Sequence, residues 1–209
     1  MMNRTIKLLI IADVFTVTGF GLIDPILAIY IKDDLTGGSI IAAGLASTLF
    51  LAVKCLIQLP FSRWVDKHDH RAAWVLRGSL LVACTPFIYM IAGNIWTFYI
   101  ASLVQGIGSG LIYPAWLGLF STHLDKHNES FEWSLYSTLT GLATAATAAI
   151  GATIAQLFGF TATFVMVSVL ALCGCAILLG LEHGPEPKGK AGLLVYHKKS
   201  RSGQNRLRH

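Results

Sequence analysis

Charge is what this sequence has least of. Asp, Glu, Lys and Arg make up 13% of its 209 residues, against about 25% in an ordinary soluble domain. Long polar stretches are confined to the end of the chain, which leaves too little hydrophilic surface to cover a water-soluble core. Cysteine is sparse as well. Cys55, Cys84, Cys173 and Cys175 all fall inside apolar runs, with no pairing framework and no metal-ligand spacing, so they read as small apolar packing residues. No nucleophile–base set, phosphate loop or cofactor fingerprint occurs, which argues against catalysis and against a bound cofactor. The net charge of +5 is no nucleic-acid signature, because seven of the sixteen bases lie after Glu182. That placement reads as a cytoplasmic extension near anionic lipid. A small-residue cleavage site after the first apolar run is also missing, and the run from Leu8 to Ile31 is too long for a signal peptide.

Hydrophobic length is what the chain has instead. Residues are 54% hydrophobic, and six runs of about 20 apolar residues match a hydrocarbon layer of about 30 Å. The expected spans are 6–31, 39–61, 72–92, 95–120, 133–158 and 161–181. Without water in the layer the backbone must bond to itself, so each span is a helix. The predicted architecture is an all-α membrane protein with a six-helix bundle over 1–181 and a basic, disordered tail over 182–209.

Positive charge stays on the cytoplasmic side. Placing the N-terminus inside puts Arg4, Lys7, Arg63, Lys67, Arg71, Arg77, Lys126 and the tail there, and leaves Lys32 outside beside Asp33 and Asp34. Both termini are therefore expected in the cytoplasm, of a plasma or bacterial inner membrane, and the sequons at Asn3 and Asn128 should stay unmodified. Short connections at Gly93-Asn94 and Gly159-Phe160 make the third and fourth spans, and the fifth and sixth, antiparallel hairpins.

An internal echo appears between the first and fourth spans. Gly21-Leu22-Ile23-Asp24-Pro25 matches Gly110-Leu111-Ile112-Tyr113-Pro114, each proline lying about 19 residues into its span, with Gly19 and Gly108 preceding. The two spans run in opposite directions, so the pattern is that of a three-plus-three inverted repeat.

The loop after the second span, Ser62-Arg63-Trp64-Val65-Asp66-Lys67-His68-Asp69-His70-Arg71, resembles the Gly-x-Leu-Ala-Asp-Arg-x-Gly-Arg-Lys signature of the major facilitator superfamily. Asp66, Lys67 and Arg71 match in type. Ser62, Asp69 and His70 depart from the pattern. Gln105-Gly106-x-Gly108 looks like the superfamily's Arg-x-x-Gln-Gly-x-Gly motif, with Ser102 at the arginine position. Thr147-x-x-x-Gly151-Ala152-x-x-Ala155 faintly resembles its antiporter motif without the proline. The resemblance covers 1–181 and implies half of a fold whose members normally carry two six-helix bundles. It also implies a cytoplasmic gate loop held by Asp66, Lys67 and Arg71, and no enzymatic activity.

Charges within the membrane plane are costly, about 2.5–3.5 kcal/mol each on insertion scales, and usually face a cavity or a partner. Asp13 and Asp24 are three turns apart on one face of the first span. Lys54, on the second, lies near the depth of Asp13. An Asp13–Lys54 pair is expected, either lining a polar cavity or neutralised to fix two helices together. Asp24 has no base at its depth save Lys32 at the rim, which makes it the leading substrate or proton site. Gln105 could line the same cavity or bridge helices, and Tyr113 is the repeat counterpart of Asp24. Trp116 is expected as an interface anchor. His123 and His127 are four apart, but Lys126 between them and the lack of a hydrolytic glutamate make a solvated loop the better reading, so no metal is expected. Small residues from Gly141 to Ala155 are a packing stripe first and a contact for another bundle second.

Two functions follow. One is secondary active transport of a small solute by alternating access; the acids of the first span favour a cationic or proton-linked solute, and Lys54 could equally attract an anion. A half-size chain would then need a second half, from a homodimer or a separate chain. The other is a non-transporting membrane scaffold or inactive remnant.

Overall fold

The computed structural model describes residues 3–68, 70–125 and 127–182, and the tail expected after 182 lies outside them. Seven helices occur in the described residues: α1 (Arg4–Ile23), α2 (Leu27–Asp34), α3 (Ile40–Val65), α4 (Arg71–Ile91), α5 (Ile95–His123), α6 (Glu129–Phe158) and α7 (Phe160–Glu182). Six are long and apolar enough to cross a bilayer. Threonine hydroxyls in them bond back along the helix: Thr140, Thr144, Thr147 and Thr153 of α6 each donate to a carbonyl four residues back. Such back-bonding is how Ser and Thr are carried through hydrocarbon.

The first span departs from expectation by breaking. α1 ends at Ile23, Asp24 is its C-cap, and Ile26 N–H closes a turn onto the Ile23 carbonyl before α2 starts. Pro25 has no N–H to give, and its ring opposes the carbonyl of Gly21. Pro114 presents the same difficulty inside α5, yet α5 continues through it. What differs is the anchorage beyond the proline. Tyr30 of α2 donates its hydroxyl to the Tyr89 carbonyl at 2.9 Å and lies 3.2 Å from that of Ala92. Its ring packs on Phe160 and Phe164. These contacts hold α2 against the outer end of α4. In α5 the buried Trp116, Leu119 and Phe120 lie along the helix itself, so straight continuation is favoured.

Packing between helices reproduces the inverted repeat. α1 packs on α6 and α7, α5 packs on α3 and α4, and α4 packs on α7. Helix starts and glycines share one offset of 89 residues (129 − 40, 160 − 71 and 110 − 21). The glycines show why that register matters. A methyl group on Gly108 would sit 2.9 Å from the Gly78 carbonyl of α4, and one on Gly19 would sit 3.3 Å from the Val167 carbonyl of α7. Gly78 and Val167 are themselves repeat partners. Gly110 abuts Lys54 and Ile57 of α3, as Gly21 abuts Thr144 and Thr147 of α6. Backbones this close leave no room for a Cβ.

Two apolar cores fill the bundle. One joins Phe20, Tyr30, Tyr89, Phe98 and Phe164; the other joins Leu9, Val75, Trp116, Phe120 and Leu178. Trp116 is therefore a core residue, not an interface anchor, 7% exposed and stacked on Phe120 at 4.8 Å. On the inner side, the α5–α6 connection is tied by two acids at the start of α6. Glu132, 2% exposed, accepts from Asp125 N–H, and Glu129 accepts from His127 N–H. α3 and α6 flank the bundle and bury little of themselves, in contrast to α1 and α4.

Candidate functional site

The polar side chains singled out by the sequence lie on α1, α3 and α5, and two tyrosines it did not single out, Tyr89 and Tyr136, bond to two of them. Asp13 and Lys54 do not pair. Asp13 accepts a hydrogen bond from the Tyr136 hydroxyl of α6 at 2.7 Å. Lys54 places its Nζ 5.5 Å from the centre of the Tyr113 ring, a cation–π distance. The reason is helix order: α1 packs on α6, while α3 packs on α5. Residues at equal depth on α1 and α3 are thus served by different neighbours.

Gln105 takes the bridging role. Its Oε1 accepts from the Tyr89 hydroxyl of α4 at 2.9 Å, and Tyr89 is almost wholly buried and stacked on Phe98 at 4.6 Å. Glycine beside Gln105 makes this possible, since Gly106 lets α5 approach the Phe50 carbonyl of α3, 2.8 Å from where a methyl would be.

Asp24 stands apart. It sits at the α1–α2 break, exposed, with no hydrogen-bond or ion-pair partner among the described residues. Lys32, the one base considered for it, lies 3.6 Å from Asp33 instead. The observed contacts are three separate ones: Lys54 on the Tyr113 ring, Tyr136 on Asp13, and Tyr89 on Gln105. Tyr113 is 47% exposed.

The inner loop also has a defined geometry. Arg71 Nη2 lies 3.1 Å from Asp66 Oδ1, and Nη1 donates to the Gly118 carbonyl of α5 at 3.3 Å. A Cβ on Gly118 would lie 3.1–3.2 Å from the guanidinium. Lys67 is exposed and outside this pair.

Tyr89 and Tyr136 were missed because tyrosines in apolar spans look like interface anchors. Their spacing from Gln105 and Asp13 carries no local signal. Only the packing order of α4 on α5, and α6 on α1, brings them in.

Six long apolar helices packed as an inverted three-plus-three repeat define an integral, multi-pass protein of the membrane transporter class. Its sequence matches the Major Facilitator Superfamily model over residues 9–205, and the chain belongs to that superfamily. It is 28% identical over 199 residues to the multidrug resistance protein MdtG of Enterobacter lignolyticus (strain SCF1), covering 92% of this chain and 46% of that protein. It is 22% identical over 192 residues to the quinolone resistance protein NorA of Staphylococcus aureus (strain Mu50 / ATCC 700699), covering 91% and 48%. In fold it resembles the POT family transporter PepTSo, crystallised in meso, with a TM-score of 0.69 at 17% identity, over 90% of this chain and 40% of that one. The chain spans a little under half the length of these relatives.

Proposed function

We propose that this bundle works in secondary active transport, moving a small organic solute across the membrane by alternating access together with a second six-helix bundle. That bundle comes from a second copy, a separate chain or sequence continuous with this one. The observation that carries the reading is Asp24: a carboxylate within an apolar span, at a helix break, exposed and without a cation among the described residues. Intramembrane acids of this kind are expected to meet a solute or a proton. Lys54, Tyr113, Gln105 and Asp13 line or support the same face. The relatives named for multidrug and quinolone resistance favour export and a lipophilic solute. In this reading both termini are cytoplasmic, in a plasma or bacterial inner membrane. The Asp66–Arg71 pair, with Lys67 beside it, closes the inner side.

The test is efflux of a fluorescent organic cation from cells in which it depends on this chain. Asp24→Asn should abolish efflux while the protein inserts and folds as before, and Asp24→Glu should retain part of it. Unchanged efflux in Asp24→Asn would remove Asp24 from the mechanism and favour a scaffold.

A further inference from the structure

Between α1, α4, α5 and α7, where the two repeats meet inside the bundle, lies a cavity of about 30 Å³. Asp13, Thr16, Ser79 and Trp116 supply its polar lining, and Leu9, Val75, Ile112 and Leu178 are among its apolar walls. Trp116 is 7% exposed, and its indole N–H is buried with no hydrogen-bond partner. Ser79 is equally buried. A buried, unmade hydrogen bond costs about 1–3 kcal/mol, and buried donors are rarely left without an acceptor.

We propose that this cavity is a binding site for one structural water molecule, which accepts from the Trp116 indole and donates to acceptors on α1 and α4. The volume suffices, since about 10–15 Å³ of such space holds one water, which needs two to four polar partners. The polarity of the walls selects water over a metal cation. The indole N–H is a donor only and repels a cation. Thr16 donates its own proton to the Ala12 carbonyl at 3.1 Å, so it offers only lone pairs. Asp13 has one oxygen engaged by Tyr136 and the other to share. A water satisfies this set by accepting once and donating twice; a cation finds one half-occupied carboxylate and two hydroxyls, too few oxygens for its shell. The water is then the polar link across the contact of α1 with α5. Asp13 becomes a bundle-interior group that helps hold the helices, and Asp24 is left as the acid of the open face. This assignment rests on the cavity and its walls alone and stands whether or not the chain transports.

The decisive measurement is magnetisation transfer from water to indole protons, on the full chain with any partner it carries, in lipid bilayers and labelled with [15N-indole]tryptophan. The signal lost in Trp116→Phe identifies Trp116 among the five tryptophans. Transfer at Trp116 comparable to that at Trp96, which is 73% exposed, is the expected result. No transfer at Trp116, with transfer intact at Trp96, would overturn the proposal. A second measurement replaces Trp116 by the isosteric sulfur analogue β-(3-benzothienyl)alanine, which lacks the N–H. With water present the melting temperature should fall, and the loss should be smaller in a Ser79→Ala background because both changes break one network. A rise in melting temperature would mean that a dry, unsatisfied donor had been removed. Sodium chloride and choline chloride should give the same melting temperature; stabilisation by sodium alone would replace the water by a cation.

Discussion

Along the 89-residue register the two repeats share two glycines of the first and fourth spans and differ in their charges. Gly19 and Gly21 have Gly108 and Gly110 as counterparts, and both pairs sit where backbones nearly touch. Asp13, Asp24 and Lys54 have Ser102, Tyr113 and Ala143. The difference separates two kinds of constraint. Close helix crossings are required twice, because the same packing is made twice. The ionisable groups of the candidate site sit in the first repeat, where the helix also breaks, and Gln105 is the polar member from the second. The second repeat answers with aromatic rings: Tyr113 under Lys54 and Tyr136 on Asp13.

The strongest way to break this comparison is to attack the crossings. A side chain at Gly151 of α6 would run into the backbone of Leu22 on α1, whereas Gly141, nearly three turns earlier, faces open space. Overpacking of this kind costs about 1–3 kcal/mol and more where backbone must move. Gly151→Leu should therefore cost about 3 kcal/mol or more, and Gly141→Leu close to nothing, by thermal unfolding in detergent. Gly110→Leu, at the equivalent α5–α3 crossing, where a Cβ would lie 3.0 Å from the Lys54 carbonyl, should also destabilise, by less than Gly151→Leu. If only one crossing is sensitive, the repeat is a likeness of sequence without a likeness of packing.

Next in size is the polar asymmetry. The Asp13–Tyr136 hydrogen bond joins a carboxylate to a phenol, and such bonds contribute about 1.5–3 kcal/mol. In a double-mutant cycle, Asp13→Asn and Tyr136→Phe should couple by that order, while Asp13→Asn and Lys54→Ala should be additive. Coupling of Asp13 to Lys54 would restore the ion pair that sequence reasoning expected and the packing order denies.

That failed pairing shows what was legible in the chain and what was not. Length and hydropathy marked six spans, because a bilayer imposes a length on any helix that crosses it. The Gly-Leu-Ile-x-Pro echo marked the repeat, because a backbone crossing demands glycine at a fixed place. The partners of Asp13 and Lys54 depend on which helices touch, and depth alone cannot settle that. The break at Asp24-Pro25 was equally hidden. Pro114 occupies the matching position in an unbroken helix, so the proline is permissive and the anchor at Tyr30 is decisive.

Tyr30→Phe tests that statement on a scale of about 1 kcal/mol, the ordinary contribution of a hydrogen bond. The ring contacts with Phe160 and Phe164 remain, so the fold should persist. Amide exchange should quicken across Leu27–Asp34 and stay unchanged in α5. Protection of α2 equal to the parent would mean that its apolar contacts hold it without the hydroxyl.

The smallest effect is expected at the inner loop. Asp66 is well exposed, with 68% of its side chain accessible, and Arg71 less so at 24%. An exposed ion pair contributes about 0–1 kcal/mol and weakens with salt. Asp66→Ala should lower stability by less than about 1 kcal/mol, with the difference shrinking at high ionic strength. Arg71→Ala should cost more, because the guanidinium also bonds the Gly118 carbonyl and packs over the bare face of that glycine. Gly118→Ala provides the control. It keeps both charges, but its methyl group would lie 3.1–3.2 Å from the guanidinium and press it away from the Gly118 carbonyl, so it should loosen the loop less than Arg71→Ala does and keep the salt dependence of the ion pair. Equal losses in Asp66→Ala and Arg71→Ala would make the ion pair the whole of the contact. A silent Gly118→Ala would show that the guanidinium can be reseated, and that the helix-to-loop hydrogen bond is incidental to the fold.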